Sequence, residues 1–178
     1  PRDSPVIAEI VTIGTELLLG EIVDTNSAHI AQQLTAIGVD HFFSTTVGDN
    51  LDRIVSALRL ALSRSDVVIT TGGLGPTVDD MTRDAVAAVS GRALEFQPHL
   101  FEQIQGFFQR RGAKMSDNNR RQAYVPAGAT VIENPVGTAP AFAVEFDHKA
   151  IISLPGVPSE MVYLLREAVL PYLSKRMG

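Results

Sequence analysis

Between Thr70 and Thr82 the chain reads TTGGLGPTVDDMT, directly after the apolar run Val67, Val68 and Ile69. Glycine permits positive φ and close approach of a ligand, so successive backbone N–H groups can face an anion. The residues placed to form such a cradle are Thr71, Gly72, Gly73, Leu74, Gly75 and Thr77. Two carboxylates, Asp79 and Asp80, follow at once. They would repel a phosphate unless a divalent cation (Mg, Mn or Co) stood between, because hard ions share oxygen ligands between carboxylates and phosphates. A second arrangement needs no metal: one aspartate caps the next helix and the other takes a ligand hydroxyl or amine. Neither common nucleotide fingerprint is present. Val78 stands where GxGxxG needs its last glycine, and no lysine–hydroxyl pair follows as in a P-loop.

Other polar residues sit where strands should end. Thr15, Glu16, Asp24, Thr25 and Asn26 follow the first apolar run, and Asp49 follows the second. Asp24 joins Asp79 and Asp80 as a candidate metal ligand, while Asp49 and Glu16 are candidate general bases. Singly, each reads first as a helix cap or solvated loop; their coincidence at three strand ends is what points to a site. Asn134, Gly137 and Thr138 in ENPVGTAPAF, and the turn in SLPGVPSEM, are read as framing the same pocket. Arg121, beside Arg120, is the candidate clamp for a distal phosphate. Glu160 and Glu167 read as the solvated face of the last helix. The four histidines are scattered without ligand spacing, and no G-x-S-x-G elbow accompanies them.

The elements that must position these groups alternate. Val6–Gly14 and Val39–Gly48 are β-branched, strand-like runs, and a third short strand precedes the glycines. Between them, Ile30, Leu34 and Ile37 fall at helical spacing, with Asn26 or Ser27 as cap; Leu51, Ile54, Val55, Leu58 and Ala61 form a second stripe. Strand, helix, strand with short joints, repeated, predicts a parallel sheet with helices on both faces. AFAVEF and KAIISLPG around Asp147–His148 predict a hairpin, hence an antiparallel edge. A last helix begins with Ser159 as its cap. The fold class expected is a three-layer α/β/α sandwich with a mostly parallel mixed sheet. All of residues 1–178 are read as one domain, with a helical insertion around 96–124.

Composition narrows the chemistry. The 178 residues contain no cysteine, which excludes thiolate catalysis and disulfides and suits the cytoplasm. Net charge is -5, so bulk electrostatics argue against a nucleic-acid partner, and no apolar run approaches the roughly 18–20 residues of a membrane span. Nothing at the start reads as a signal peptide. A small-molecule nucleotide or pterin phosphate is the partner expected.

Taken together, IGTELLLGEIVDTNS, VGDN, TTGGLGPTVDDMT, NPVGTAP and LPGVPSEM resemble the molybdopterin-binding (MoCF) superfamily, and within it the amino-terminal domain of the competence/damage-inducible CinA family. The resemblance implies the three-layer fold, a glycine loop that grips phosphate, and assembly into dimers or trimers. It places the loop aspartate of the superfamily on Asp80 and its second-strand aspartate on Asp49. Cofactor-synthesising members usually carry Gly-Gly-Thr-Gly; here Leu74 replaces the threonine. CinA-type domains are associated with metal-dependent cleavage of ADP-ribose and related pyrophosphates, the function expected here. A molybdopterin-binding or adenylylating module and an inactive binding scaffold are the alternatives. The amidase of longer CinA proteins belongs to other domains.

Overall fold

A computed structural model describes residues 5–178. Strands β1 (Ile7–Ile13), β2 (Asp40–Val47), β3 (Val67–Thr71), β7 (Ala141–Phe146) and β8 (Lys149–Leu154) join β6 (Thr130–Ile132) in one sheet of order β2-β1-β3-β8-β7-β6. β2, β1, β3 and β8 run parallel, whereas β7 and β6 each pair antiparallel with their predecessor in that order. The expected parallel sheet with an antiparallel edge is therefore present.

Strand alternation sends side chains to two faces. On one, Val11, Val68, Phe142 and Ile151 pack against α3 (Leu51–Arg64), α4 (Thr82–Ser90) and α5 (Pro98–Arg110). On the other, Ile10, Ile69 and Ile152 meet α2 (Thr25–Ala36) and the last helix. Burying each such aliphatic side chain contributes about 1.5–3 kcal/mol, which explains why the apolar stripes select this layering. Charge goes under as well. Glu9, fully buried on β1, receives Arg64 Nε at 2.6 Å and Nη2 at 3.2 Å from the end of α3.

Between β4 (Leu94–Phe96) and β5 (Tyr124–Pro126) the chain forms α5 and a 3₁₀ segment, Asp117–Ala123. β4 and β5 pair antiparallel, a small second sheet that the sequence patterns do not announce. The short helix α1 (Thr15–Leu18), after β1, is likewise not anticipated.

The last helix is interrupted. α6 (Pro158–Leu164) passes through a π turn at Leu165–Val169 into α7 (Leu170–Met177). Pro171, in the first turn of α7, offers no N–H and its ring crowds the preceding turn, so widening there accommodates it. The expected cap at Ser159 is not formed; Val157 occupies the cap position without a side-chain bond, and Pro158 begins the helix. Along α7, Tyr172 Oη bonds Glu145, and Arg176 Nη2 donates to His148 O at 2.6 Å, fastening the helix to the β7–β8 hairpin. No helix among the described residues is long and apolar enough to cross a membrane.

The hairpin turn has φ 49° at Asp147 and 62° at His148. Aspartate tolerates the left-handed region better than histidine does. His148→Gly is therefore expected to raise stability by roughly 0.5–1 kcal/mol, read as a higher thermal midpoint.

Candidate active site

The carboxyl ends of β1, β2, β3 and β8 open onto a cavity of about 390 Å³, the position at which open parallel sheets bind ligands. Glu16, Asp24, Asp49, Asp79 and Asp80 all line it, with Thr71, Gly72, Gly73 and Thr77, and with Ile22 and Val23 as an apolar wall. No lysine, arginine or histidine is among the lining residues. The five carboxylates, drawn from three separate strand ends, are brought together as the spacing led one to expect.

Three of these aspartates are held by one oxygen each. Asp24 Oδ1 accepts the Ser27 amide at 3.0 Å and is the cap of α2, the role expected of Asn26 or Ser27. Asp49 Oδ2 accepts the Thr15 amide at 3.2 Å, while Thr15 Oγ1 accepts the Asp49 amide at 3.1 Å. Asp80 Oδ2 accepts the Thr77 amide at 2.9 Å and its hydroxyl at 2.8 Å. In each case the second carboxylate oxygen has no protein donor among the described residues. The bonds orient the groups and leave one oxygen of each for other work. Asp79 is exposed and does not cap α4, whose cap position is Met81.

Asn26 is a buried tie. Its Nδ2 donates to Thr71 Oγ1 at 3.0 Å and to Gly156 O at 2.9 Å. Both Asn26 Oδ1 and Thr12 Oγ1 are buried, belong to lining residues, and have no hydrogen-bond partner among the described residues.

The glycine loop differs from the simplest cradle. Gly72 sits at φ 103°, and a Cβ there would stand 2.2 Å from Ile13 O, so no other residue fits. Its amide, expected to face an anion, instead donates to Leu154 O at 3.0 Å and extends the sheet. Leu74, expected as a ligand contact, is turned inward and only 1% exposed, a core residue beneath the loop. The loop carbonyls also point inward. Thr82 Oγ1 donates to Gly72 O at 2.8 Å, the Thr82 amide to Gly73 O at 3.2 Å, and the Arg83 guanidinium to both Leu74 O and Gly75 O. Within a trans peptide the C=O and the next N–H point oppositely. The amides of Gly73, Leu74 and Gly75 therefore face away from α4, and none has an acceptor among the described residues; of the three, only Gly73 lines the cavity, and Gly75 sits at its edge against the Asp80 carboxylate.

Two groups of expected residues lie elsewhere. Asn134, Gly137 and Thr138 line a separate cavity of about 710 Å³ between α5, the 132–140 segment and the last helix. That cavity is larger, but the carboxylate cluster is not in it. Arg121 stands outside the glycine loop, its Nη1 donating to Thr77 O at 2.9 Å, and borders a groove with Arg120 and Tyr124. Arg120 lies over the Phe96 ring at 4.1 Å.

Glu160 departs furthest from its expected solvated role. It is buried, its Oε1 accepts Asn134 Nδ2 at 2.7 Å, and a Cβ on Gly137 would stand 1.6 Å from that oxygen. Nothing local in the sequence marks this, because Gly137 and Asn134 approach from another segment. Glu167, by contrast, is exposed and pairs with Arg166.

Toward a metal the residues present are donors of a limited kind. Among the described residues, no three His, Cys, Asp or Glu side chains converge as a ready ligand set. Magnesium-type ions, however, commonly use one or two carboxylates and complete their shell with water and substrate phosphate. Pre-oriented aspartates with a free oxygen each are donors of that kind.

A family profile described as a probable molybdopterin binding domain matches residues 9–175. The chain belongs to that family. Over 171 residues it is 51% identical to a competence-damage inducible protein of Halothermothrix orenii, covering 96% of this chain and 41% of that one. A counterpart from Symbiobacterium thermophilum is 50% identical over 174 residues, again with 41% of its length covered. The chain thus spans 41% of the length of these curated relatives. The crystal structure of the protein CinA from Thermoplasma acidophilum, described as of unknown function, superposes with TM-score 0.86 at 38% identity, covering 95% of this chain and 98% of that one. A molybdopterin biosynthesis protein from Mycobacterium abscessus shares the fold at TM-score 0.66 and 16% identity, covering 97% and 94%.

Burial pushes the Glu160 carboxyl above its ordinary value, opposed by the Asn134 bond and then by Arg111. Below the ordinary glutamate range both folded and unfolded forms carry the proton, and the shift has no effect on stability. As pH rises through that range the unfolded state releases its proton first, so folding loses stability until the folded carboxyl ionises too. Glu160→Gln keeps an acceptor for Asn134 and removes this loss. Denaturant unfolding is expected to find the variant more stable than wild type at about pH 7, with the gain gone near pH 4 or below.

Proposed function

We propose that this chain is a metal-dependent hydrolase of the pyrophosphate bond in ADP-ribose or a related dinucleotide. The observation that carries the reading is the cavity's charge: five carboxylates and no lining cation, beside amides turned outward on the glycine loop. A phosphate can enter such a site only with a counter-cation, and a divalent ion bound there supplies charge neutralisation and a more acidic water.

The protein's own part follows from the hydrogen bonds. Asp80, Asp79 and Asp24 are the residues that would hold the ion, Asp80 and Asp24 through the oxygen not committed to Thr77 or Ser27. The Gly73 amide faces the phosphate and orients it. Asp49, fixed by Thr15, is the group best placed to take a proton from the attacking water, with Glu16 the other candidate. The cysteine-free composition agrees with work in the cytoplasm.

Molybdopterin binding is the alternative function. The matching family is described by molybdopterin binding, and the same outward amides and cavity would accept a pterin phosphate without hydrolysis.

Incubation with ADP-ribose and Mg²⁺, Mn²⁺ or Co²⁺, following AMP, separates the two. Asp80→Asn retains an acceptor for Thr77 but loses the charge. It is expected to fold with stability within about 1 kcal/mol of wild type and to lose at least about a hundredfold in turnover. Absence of metal-dependent AMP release by the wild-type protein sinks the hydrolase reading and leaves molybdopterin titration as the next experiment.

A further inference from the structure

The most deeply buried charge near the cavity is one that no step above uses. Arg83 is only 2% exposed, in the first turn of α4, directly behind the glycine loop. Its Nη1 donates to Gly75 O at 3.2 Å and its Nη2 to Leu74 O, a carbonyl that Gln122 Nε2 also approaches at 3.4 Å. Burial pulls the guanidinium down to about 10, against the opposing pull of Asp80 and Asp84; it remains a cation at neutral pH. A buried cation needs strong partners, and here two of them are main-chain carbonyls.

Each carbonyl fixed on the inner side fixes one amide on the outer side. Gly72 O, held by Thr82 Oγ1, sets the Gly73 amide; Leu74 O, held by Arg83, sets the Gly75 amide. Pro76 follows Gly75 and has no amide to set, so the bond to Gly75 O serves only to anchor the fork. The two side chains thus divide the loop between them, one amide each.

We propose that Arg83 is a positioning residue for phosphate binding: through Leu74 O it holds the Gly75 amide outward as an anion donor, as Thr82 does for Gly73. This rests on the reading that the glycine loop takes a phosphate. It adds a reason for a fork rather than any cation at this position. An ammonium could supply the charge behind the loop, but it is a point donor and does not hold two adjacent carbonyls in one plane.

The test is residue-resolved. ¹⁵N-labelled protein is titrated with inorganic pyrophosphate and Mg²⁺ while the Gly73 and Gly75 amide resonances are followed. Both should move in the wild-type protein. In Arg83→Lys the Gly75 response should be lost and the Gly73 response kept, with binding weakened about tenfold or more. In Thr82→Val the pattern should invert; if Arg83→Lys does not fold, Arg83→Gln, which is too short and lacks the fork, should show the same selective loss at Gly75 and carries the test. A purely structural role would instead remove both responses together in either variant, which overturns the assignment. So does an unchanged Gly75 response in Arg83→Lys. If neither amide moves in the wild-type protein, the phosphate reading itself falls and the assignment with it.

Discussion

One amide side chain holds the rim of the cavity together. Asn26 enters from the first turn of α2 and donates both Nδ2 hydrogens, to the end of β3 at Thr71 and to the loop after β8 at Gly156. Thr71 passes its own hydroxyl hydrogen on to Pro155 O at 3.1 Å, so three segments distant in sequence share one buried network. Such a network is worth more than its separate bonds, because breaking any link strands a polar group in the interior. The close packing of Gly156 on Gly72, where a Cβ would come within 3.2 Å of the Gly72 Cα, depends on the same tie. The parallel strands set the rim, and this tie fixes the start of α2 and the loop after β8 against it.

Around this frame the charges are sorted by depth. The carboxylates stand in front, at the mouth, each aspartate of the trio Asp24, Asp49 and Asp80 tethered to a backbone amide. The guanidinium of Arg83 stands behind, separated from solvent by the loop it supports. Toward the far end of β1 the buried Glu9 is paired with the partly exposed Arg64, and the pair contributes nothing to the mouth. The fold therefore separates a local pair that neutralises itself from a site whose front is acidic and whose back is basic.

How much of this was legible follows from the range of the interactions. β-branched runs and helical stripes depend on neighbours a few residues away, so the sheet, its hairpin and α2 and α3 could be read directly. The convergence of Glu16, Asp49 and Asp80 was legible too, since parallel strands place their following loops on one rim. Glu160 was not, because its burial depends on the space left by Gly137, 23 positions earlier in the chain. Likewise Asn134 and Thr138 were assigned to the wrong cavity: a strand running antiparallel to β8 begins where the others end, but sideways displacement in the sheet carries its loop toward α5. Leu74 and Gly72 were misjudged for a subtler reason. A glycine-rich string predicts freedom of φ, not which amide the ladder has already taken or which side chain turns inward.

The bonds from Arg176 and Tyr172 to the β7–β8 hairpin also decide the chain's exit. That hairpin lies at the starting ends of the parallel strands, the pole opposite the cavity mouth. A fluorescent protein or surface anchor joined after Gly178 would consequently start from the pole opposite the mouth. Tethering by that end leaves diffusion into the acidic mouth unobstructed, and tethering through the 18–23 segment would not.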